Sequence, residues 1–135
     1  MSIYKHYKGG LHLVKAYTTP LPRELYDREK ITTEIVAQAR HKSTLEMVDI
    51  VKVYDLDVKS HYYTHDSEKH EDVMVFYCDT YGRHWLRSRE SFFEEVVYMN
   101  DKGEKFSEPR FKTASNAFLF ETILVLFDRL SSENI

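Results

Sequence analysis

Arg83, Trp85 and Arg87 stand two residues apart in the segment Arg83-His84-Trp85-Leu86-Arg87-Ser88-Arg89. Strand alternation would place these three side chains on one face and His84, Leu86 and Ser88 on the other. Arginine beside an indole, with Tyr81 close by, suits a phosphate or a stacked base. The competing reading puts Trp85 in the core and pairs the arginines with Glu90, Glu94 and Glu95, since guanidinium binds carboxylate as readily as phosphate.

Three other groups could do chemistry. Tyr4, His6, Tyr7 and Lys8 precede Gly9-Gly10, where a backbone without side chains can approach a ligand. This stretch lacks the Gly-Lys-Ser or Gly-Lys-Thr of a phosphate loop, and a turn entering a strand also explains it. Pro109-Arg110-Phe111 puts another arginine beside an aromatic ring. Arg110 either joins Arg87 in one pocket or ties the last strand to the fold through backbone carbonyls. His61 and His65 are four apart, with His70 and the acidic residues Asp66, Glu68, Glu71 and Asp72 following. On a helix that spacing can hold zinc, but Tyr62-Tyr63-Thr64 fills a helix poorly. A solvated acidic loop is the simpler reading, and no metal or other cofactor is expected.

Cys78 is the one cysteine. It excludes an internal disulfide and points to a reducing compartment. A Cys78–His84 nucleophile is conceivable, although nothing in the sequence orients it. No hydrolase, kinase or dinucleotide-binding motif is present, so catalytic residues are not assigned.

The elements that must position these residues are mostly strands. Leu11 to Thr19 alternates after the Gly9-Gly10 turn and ends at Pro20 and Pro22. Pro22 to Lys30 reads as a short helix with proline in its first turn. Ile31 to Ala39 fits both a strand and a helical stripe. Strand is favoured because Arg40 to Glu46 reads as a hairpin connection into Met47 to Leu56. Asp57 to Asp72 reads as a loop or an extended hairpin tip. Val73 to Tyr81 and His84 to Arg87 are strands around Gly82, and Ser91 to Glu95 is a helical turn. Val96 to Met99 and Glu104 to Lys112 pair across Asn100-Asp-Lys-Gly103.

Ser115 or Asn116 can cap a final helix over approximately 115–131. Phe120, Ile123, Leu124, Phe127 and Leu130 line one of its faces, and apolar residues spread almost all round it. Such a helix is normally buried, here against the barrel or against a second copy of the chain.

Composition fits this reading. The 135 residues are 42% hydrophobic, with ten Tyr, eight Phe and one Trp. They make one domain over 1–135, with a β core at approximately 3–112, large enough to fold without disulfide or metal. The formal net charge of −3 argues against a protein that coats nucleic acid. The polar N-terminus lacks a signal-peptide core, and the apolar run Ala117 to Leu130 is too short to span a bilayer. A cytoplasmic location is expected, with no membrane partner.

The chain also resembles the bacterial and phage family called "domain of unknown function 1653". The resemblance rests on HYKGGLHLV at His6 to Val14, ARHKSTLE at Ala39 to Glu46 and VMVFY at Val73 to Tyr77. It continues through YGRHWLRSRESFFEEV at Tyr81 to Val96 and PRF at Pro109 to Phe111. It implies a mainly β fold, a small SH3-like barrel carrying a short inserted helix and a C-terminal helix. It implies no activity. Leu21 to Gln38 and Asp57 to Asp72 depart from the family as insertions, and Ser88 stands where the family usually has proline.

Three functions follow as expectations. The first is a non-catalytic module that binds a small anion such as a nucleotide. Its site is expected at His6, Tyr7, Lys8, Arg83, Trp85, Arg87 and Arg110. If the chain is phage-encoded, it would act in the host cytoplasm, sequestering a host signal. The second is an adaptor or oligomer contacting a host protein or its own copy through Phe120, Ile123, Leu124, Phe127 and Leu130. The third is a metal-dependent hydrolase using His61, His65 and His70.

Overall fold

The computed structural model describes residues 2–22, 24 and 30–114. The expected C-terminal helix, with its face at Phe120, Ile123, Leu124, Phe127 and Leu130, lies outside the described residues. So does most of the Pro22–Lys30 segment.

Among the described residues, ten strands and one short helix follow in order: β1 (Ser2–His6), β2 (Leu11–Pro20), β3 (Ile31–His41), β4 (Met47–Asp55), β5 (Ser60–Asp66), β6 (Met74–Asp79), β7 (His84–Ser88), α1 (Arg89–Phe93), β8 (Glu95–Met99), β9 (Lys105–Pro109) and β10 (Phe111–Thr113). The order β2-β5-β4-β3-β7-β6 closes on itself where β6 pairs antiparallel with β2, forming a six-stranded barrel. The expected mainly β fold and small barrel are both present. β1 and β10 extend from one edge of β2, and β8 with β9 forms a separate ribbon.

Closure depends on β2. Its register slips between Val14 and Ala16, and such a bulge increases local twist and bends the strand. The bent strand pairs with β1 near its start and with β5 at Thr19 and Pro20. Ile31 to Ala39 is strand, paired along its length with β4, which settles its double periodicity.

Asp57 to Asp72 is more than a loop, because Ser60–Asp66 is a full strand of the ring. Its polarity hid it. Thr64 and His65 are fully buried, which hydrogen bonding makes affordable. The Thr64 hydroxyl donates to Val51 O at 3.0 Å. The His65 ring bridges Thr18 Oγ1 at 2.8 Å and His70 O at 2.7 Å. Asp57 to Asp72 thus supplies the ring strand β5, and Leu21 to Gln38 supplies most of β3.

The two larger of three buried apolar clusters among the described residues fill most of the interior. Ala39, Val48, Ile50, Met74, Phe76 and Leu86 form one. Val14, Val75, Tyr77, Phe92 and Phe111 form the other, with Tyr4 and Trp85 packed against it. Phe92 of α1 stacks on Phe111 at a centroid distance of 4.0 Å and 4°. Ser88 is the N-cap of α1, its hydroxyl accepting from Ser91 N at 3.1 Å. Ser88 thus starts the helix that seats Phe92.

Candidate functional site

The antiparallel register of β6 and β7 sets Tyr77 opposite Trp85 and Val75 opposite Arg87. Strand alternation then points Tyr77 and Asp79 to the same face as Arg83, Trp85 and Arg87. Together they make one side of a cleft of about 270 Å³. The other side comes from the β1–β2 hairpin through His6, Gly9, Gly10 and His12, with Phe111 of β10 between them. This volume sits just below the range of roughly 300–1,000 Å³ usual for ligand pockets, so the cleft suits a small ligand or one end of a larger one.

Asp79 organises the cleft. Its Oδ1 accepts from Tyr81 N at 2.9 Å and Arg83 N at 3.0 Å, and its Oδ2 accepts from Arg83 Nε at 2.9 Å and Trp85 Nε1 at 3.0 Å. Burial alone would raise this carboxyl; the bonds from Trp85, Arg83 and Tyr81 outweigh it and hold it below the ordinary aspartate range. The carboxylate thereby fixes the β6–β7 turn, turns the indole edge and neutralises Arg83.

The hairpin side depends on backbone freedom. Gly9 and Gly10 have φ of +93° and +87°, conformations that side-chain-bearing residues rarely adopt. Gly9 N donates to His6 O at 2.8 Å and His6 N to Gly10 O at 3.0 Å, closing a tight turn. His6 Nδ1 accepts from Lys8 N at 3.2 Å.

Lys42 arrives from a third direction. β3 pairs in parallel with β7 at Arg40–Trp85 and His41–Leu86, and Lys42 N donates to Leu86 O at 2.8 Å. His41 Nδ1 accepts from Ser43 N and Thr44 N, each at 3.2 Å, curling the chain past Lys42. Lys42 Nζ then lies 4.2 Å from the Trp85 ring centroid, a cation–π contact.

The cations near the cleft differ in what holds them. Arg83 is tied to Asp79. Arg110 donates from Nε to Ser91 O at 3.1 Å and from Nη2 to the Glu94 carboxylate. Arg87 donates from Nη1 to Ser91 Oγ at 3.2 Å, and its buried Nε has no partner among the described residues. Neither Arg87 nor Lys42 pairs with a carboxylate among the described residues.

The concentration of charge acts on its neighbours. Burial, then His12, Arg87, Arg110 and Lys8, lowers His6 to about 4. Burial likewise lowers His12 to about 4; Asp79 opposes this, while Lys42 and Arg87 add to it. Both rings are neutral at pH 7. Burial and then Arg87 and Arg83 lower Lys42 from its ordinary value. Burial raises the Tyr77 phenol against the opposing influence of Arg87.

Of the expected site residues, His6, Arg83, Trp85 and Arg87 converge on the cleft. Trp85 packs against the core on one side and lines the cleft on the other. Tyr7, Lys8 and Arg110 do not line it. Tyr7 turns to a neighbouring groove and faces Tyr98 at 5.8 Å, with Lys8 Nζ 5.7 Å from its ring. Arg110 is a structural tie, as the alternative for that residue had it. Its partner Phe111 reaches the cleft instead.

His12, Lys42, Tyr77 and Asp79 were missed. The polar His12 inside an apolar strand was a usable signal. Lys42 was not, because the parallel β3–β7 pairing that delivers it joins segments far apart in sequence.

The three loop histidines do not come together as a ligand set. His65 has both ring nitrogens engaged. His70 stacks on His41 at 4.0 Å and 7°. His61 is exposed beside Tyr63. Among the described residues no group of three or more His, Cys, Asp or Glu is placed to hold a metal ion. Cys78 is fully buried against Leu13. No helix among the described residues is long and apolar enough to cross a membrane.

No protein-family model, curated protein or solved structure matches the chain.

Proposed function

We propose that this protein is a non-catalytic binding module for a small anion such as a nucleotide. The observation that carries the reading is the pair Lys42 and Arg87. Both face one cleft, both lack a carboxylate partner among the described residues, and both lie beside aromatic rings. A guanidinium and an ammonium in a partly dehydrated cleft attract phosphate strongly. Tyr81, well exposed at the mouth, offers a face on which a base can stack.

The resemblance to "domain of unknown function 1653" supports a small barrel and leaves the ligand open. In a phage setting, the role this reading assigns is sequestration of a host signalling nucleotide in the cytoplasm. Calorimetric titration with a nucleotide panel tests it. The wild type should bind at least one nucleotide at micromolar to millimolar concentration, and Arg87→Ala should weaken that binding at least tenfold. No binding at millimolar nucleotide would sink the reading.

One feature favours a second reading, an adaptor for a host protein or a second copy. The β8–β9 ribbon exposes Val97 and Met99 on one face, and apolar residues grouped on a surface often mark interfaces. Light scattering on the full chain, before and after Val97→Lys with Met99→Lys, tests self-association. A monomer in both cases removes the second-copy version.

A further inference from the structure

We infer that the cleft takes a dianionic oxyanion, and that its arrival places a proton on His12. This rests on the anion-binding reading above and adds the charge of the ligand and the fate of a proton. The proton comes from solvent, and no covalent bond to the ligand forms.

The geometry starts with His12 Nδ1. The atom is buried without a hydrogen-bond partner among the described residues. A buried ring nitrogen left unpartnered is costly in a folded protein. His12 sits opposite Asp79 in the β2–β6 register and opposite Tyr4 in the β1–β2 register, with its ring 5.1 Å from Phe111 and 5.6 Å from Tyr77. It lines the same cleft as Lys42 and Arg87.

The charged and titratable neighbours of His12 among the described residues come from several elements. β1 offers His6, 6.0 Å away ring to ring, and Tyr4 in register. β6 offers Tyr77 and the Asp79 carboxylate. β7 offers Arg87, the turn before it offers the neutralised Arg83, and Lys42 follows β3. β10 offers the uncharged Phe111. Without a ligand, burial and these cations keep His12 neutral, and Asp79 with the Gly10 backbone pulls the other way.

A dianion on Lys42 and Arg87 changes two of these influences together. It cancels the two cations that disfavour imidazolium and adds negative charge beside the ring, which favours it. His12 then becomes the third cation of the site. His6 is less suited, because its Nδ1 already accepts from Lys8 N and it faces Arg110 and Lys8 as well.

Inorganic sulfate is the probe of choice, since it stays dianionic across the range in which histidine titrates. The full chain is titrated with sulfate between about pH 3.5 and 7, a span that brackets the unliganded His12 value of about 4, and the His12 ring proton is followed by NMR. Sulfate affinity should rise as pH falls, by at most about tenfold per pH unit for one proton. The His12 titration should move up by at least about one unit in saturating sulfate. His12→Gln should bind sulfate with a flat pH profile. Should that variant not fold, the wild-type NMR titration still decides.

Sulfate binding that ignores pH, an unmoved His12 curve with sulfate bound, or a shift confined to His6 would each overturn the inference while leaving anion binding intact. Failure of sulfate, phosphate and adenosine monophosphate alike to bind at any pH would overturn the anion-binding reading itself, and the inference with it.

Discussion

Two regions of this barrel bury histidine, and they do it differently. At the junction of β2, β3 and β5, His65 accepts from the Thr18 hydroxyl and donates to His70 O, while His41 accepts two backbone N–H groups. At the cleft, His12 has a buried ring nitrogen without a partner among the described residues and lies among cations. A carbonyl only accepts, so the His70 bond fixes the proton of His65 on Nε2. The comparison teaches that burial alone does not mark a functional histidine. The marker is an unsatisfied atom next to charges that are themselves unpaired. The same contrast separates the arginines: Arg83 and Arg110 are held by carboxylates, and Arg87 pairs with none among the described residues.

Breaking the structural side should cost most. Asp79→Ala removes the acceptor of four hydrogen bonds and leaves Arg83 and Trp85 without it. Stability should fall by about 3 kcal/mol, read as a lower urea midpoint. An unchanged midpoint would mean that the turn holds without its carboxylate.

His65→Ala should cost about 2 kcal/mol, because it empties a buried site and strands the Thr18 hydroxyl. Anion affinity should be unaffected, since His65 lies away from the cleft. A binding loss larger than the stability change explains would merge the two regions and undo the comparison.

Acid should act on both regions with the same sign. His6, His12, His41 and His65 are all lowered by burial first, the two cleft rings to about 4. The unfolded chain takes up protons near pH 6.5, so stability is full above that and falls as pH drops toward about 4. Each histidine contributes at most about 1.4 kcal/mol per pH unit. Thermal unfolding at stepped pH reads the loss. Saturating sulfate should restore the part due to His12 and leave the parts due to His41 and His65.

Much of the fold was legible because alternation survives in strands with one wet face. Arg83, Trp85 and Arg87 came out on one face for that reason, and the Asn100–Gly103 turn announced its hairpin. β5 was not legible, since Thr64 and His65 are polar residues made buriable by partners distant in sequence. Half of the cleft was hidden for a related reason. Lys42 and His12 reach it through strand pairings between separate segments, and Arg110 is turned away by Glu94, which local sequence does not reveal.

The central claim is that unpaired cations bind the ligand and paired ones hold the fold. Adenosine monophosphate titrated calorimetrically into the wild type, Lys42→Ala, Arg87→Ala and Arg110→Ala tests it most directly. Lys42→Ala and Arg87→Ala should each lose about ten- to a hundredfold in affinity, the value of a charge-assisted hydrogen bond. Arg110→Ala should bind like the wild type and lose stability instead. Equal losses in all three variants, or a loss confined to Arg110→Ala, would contradict the account.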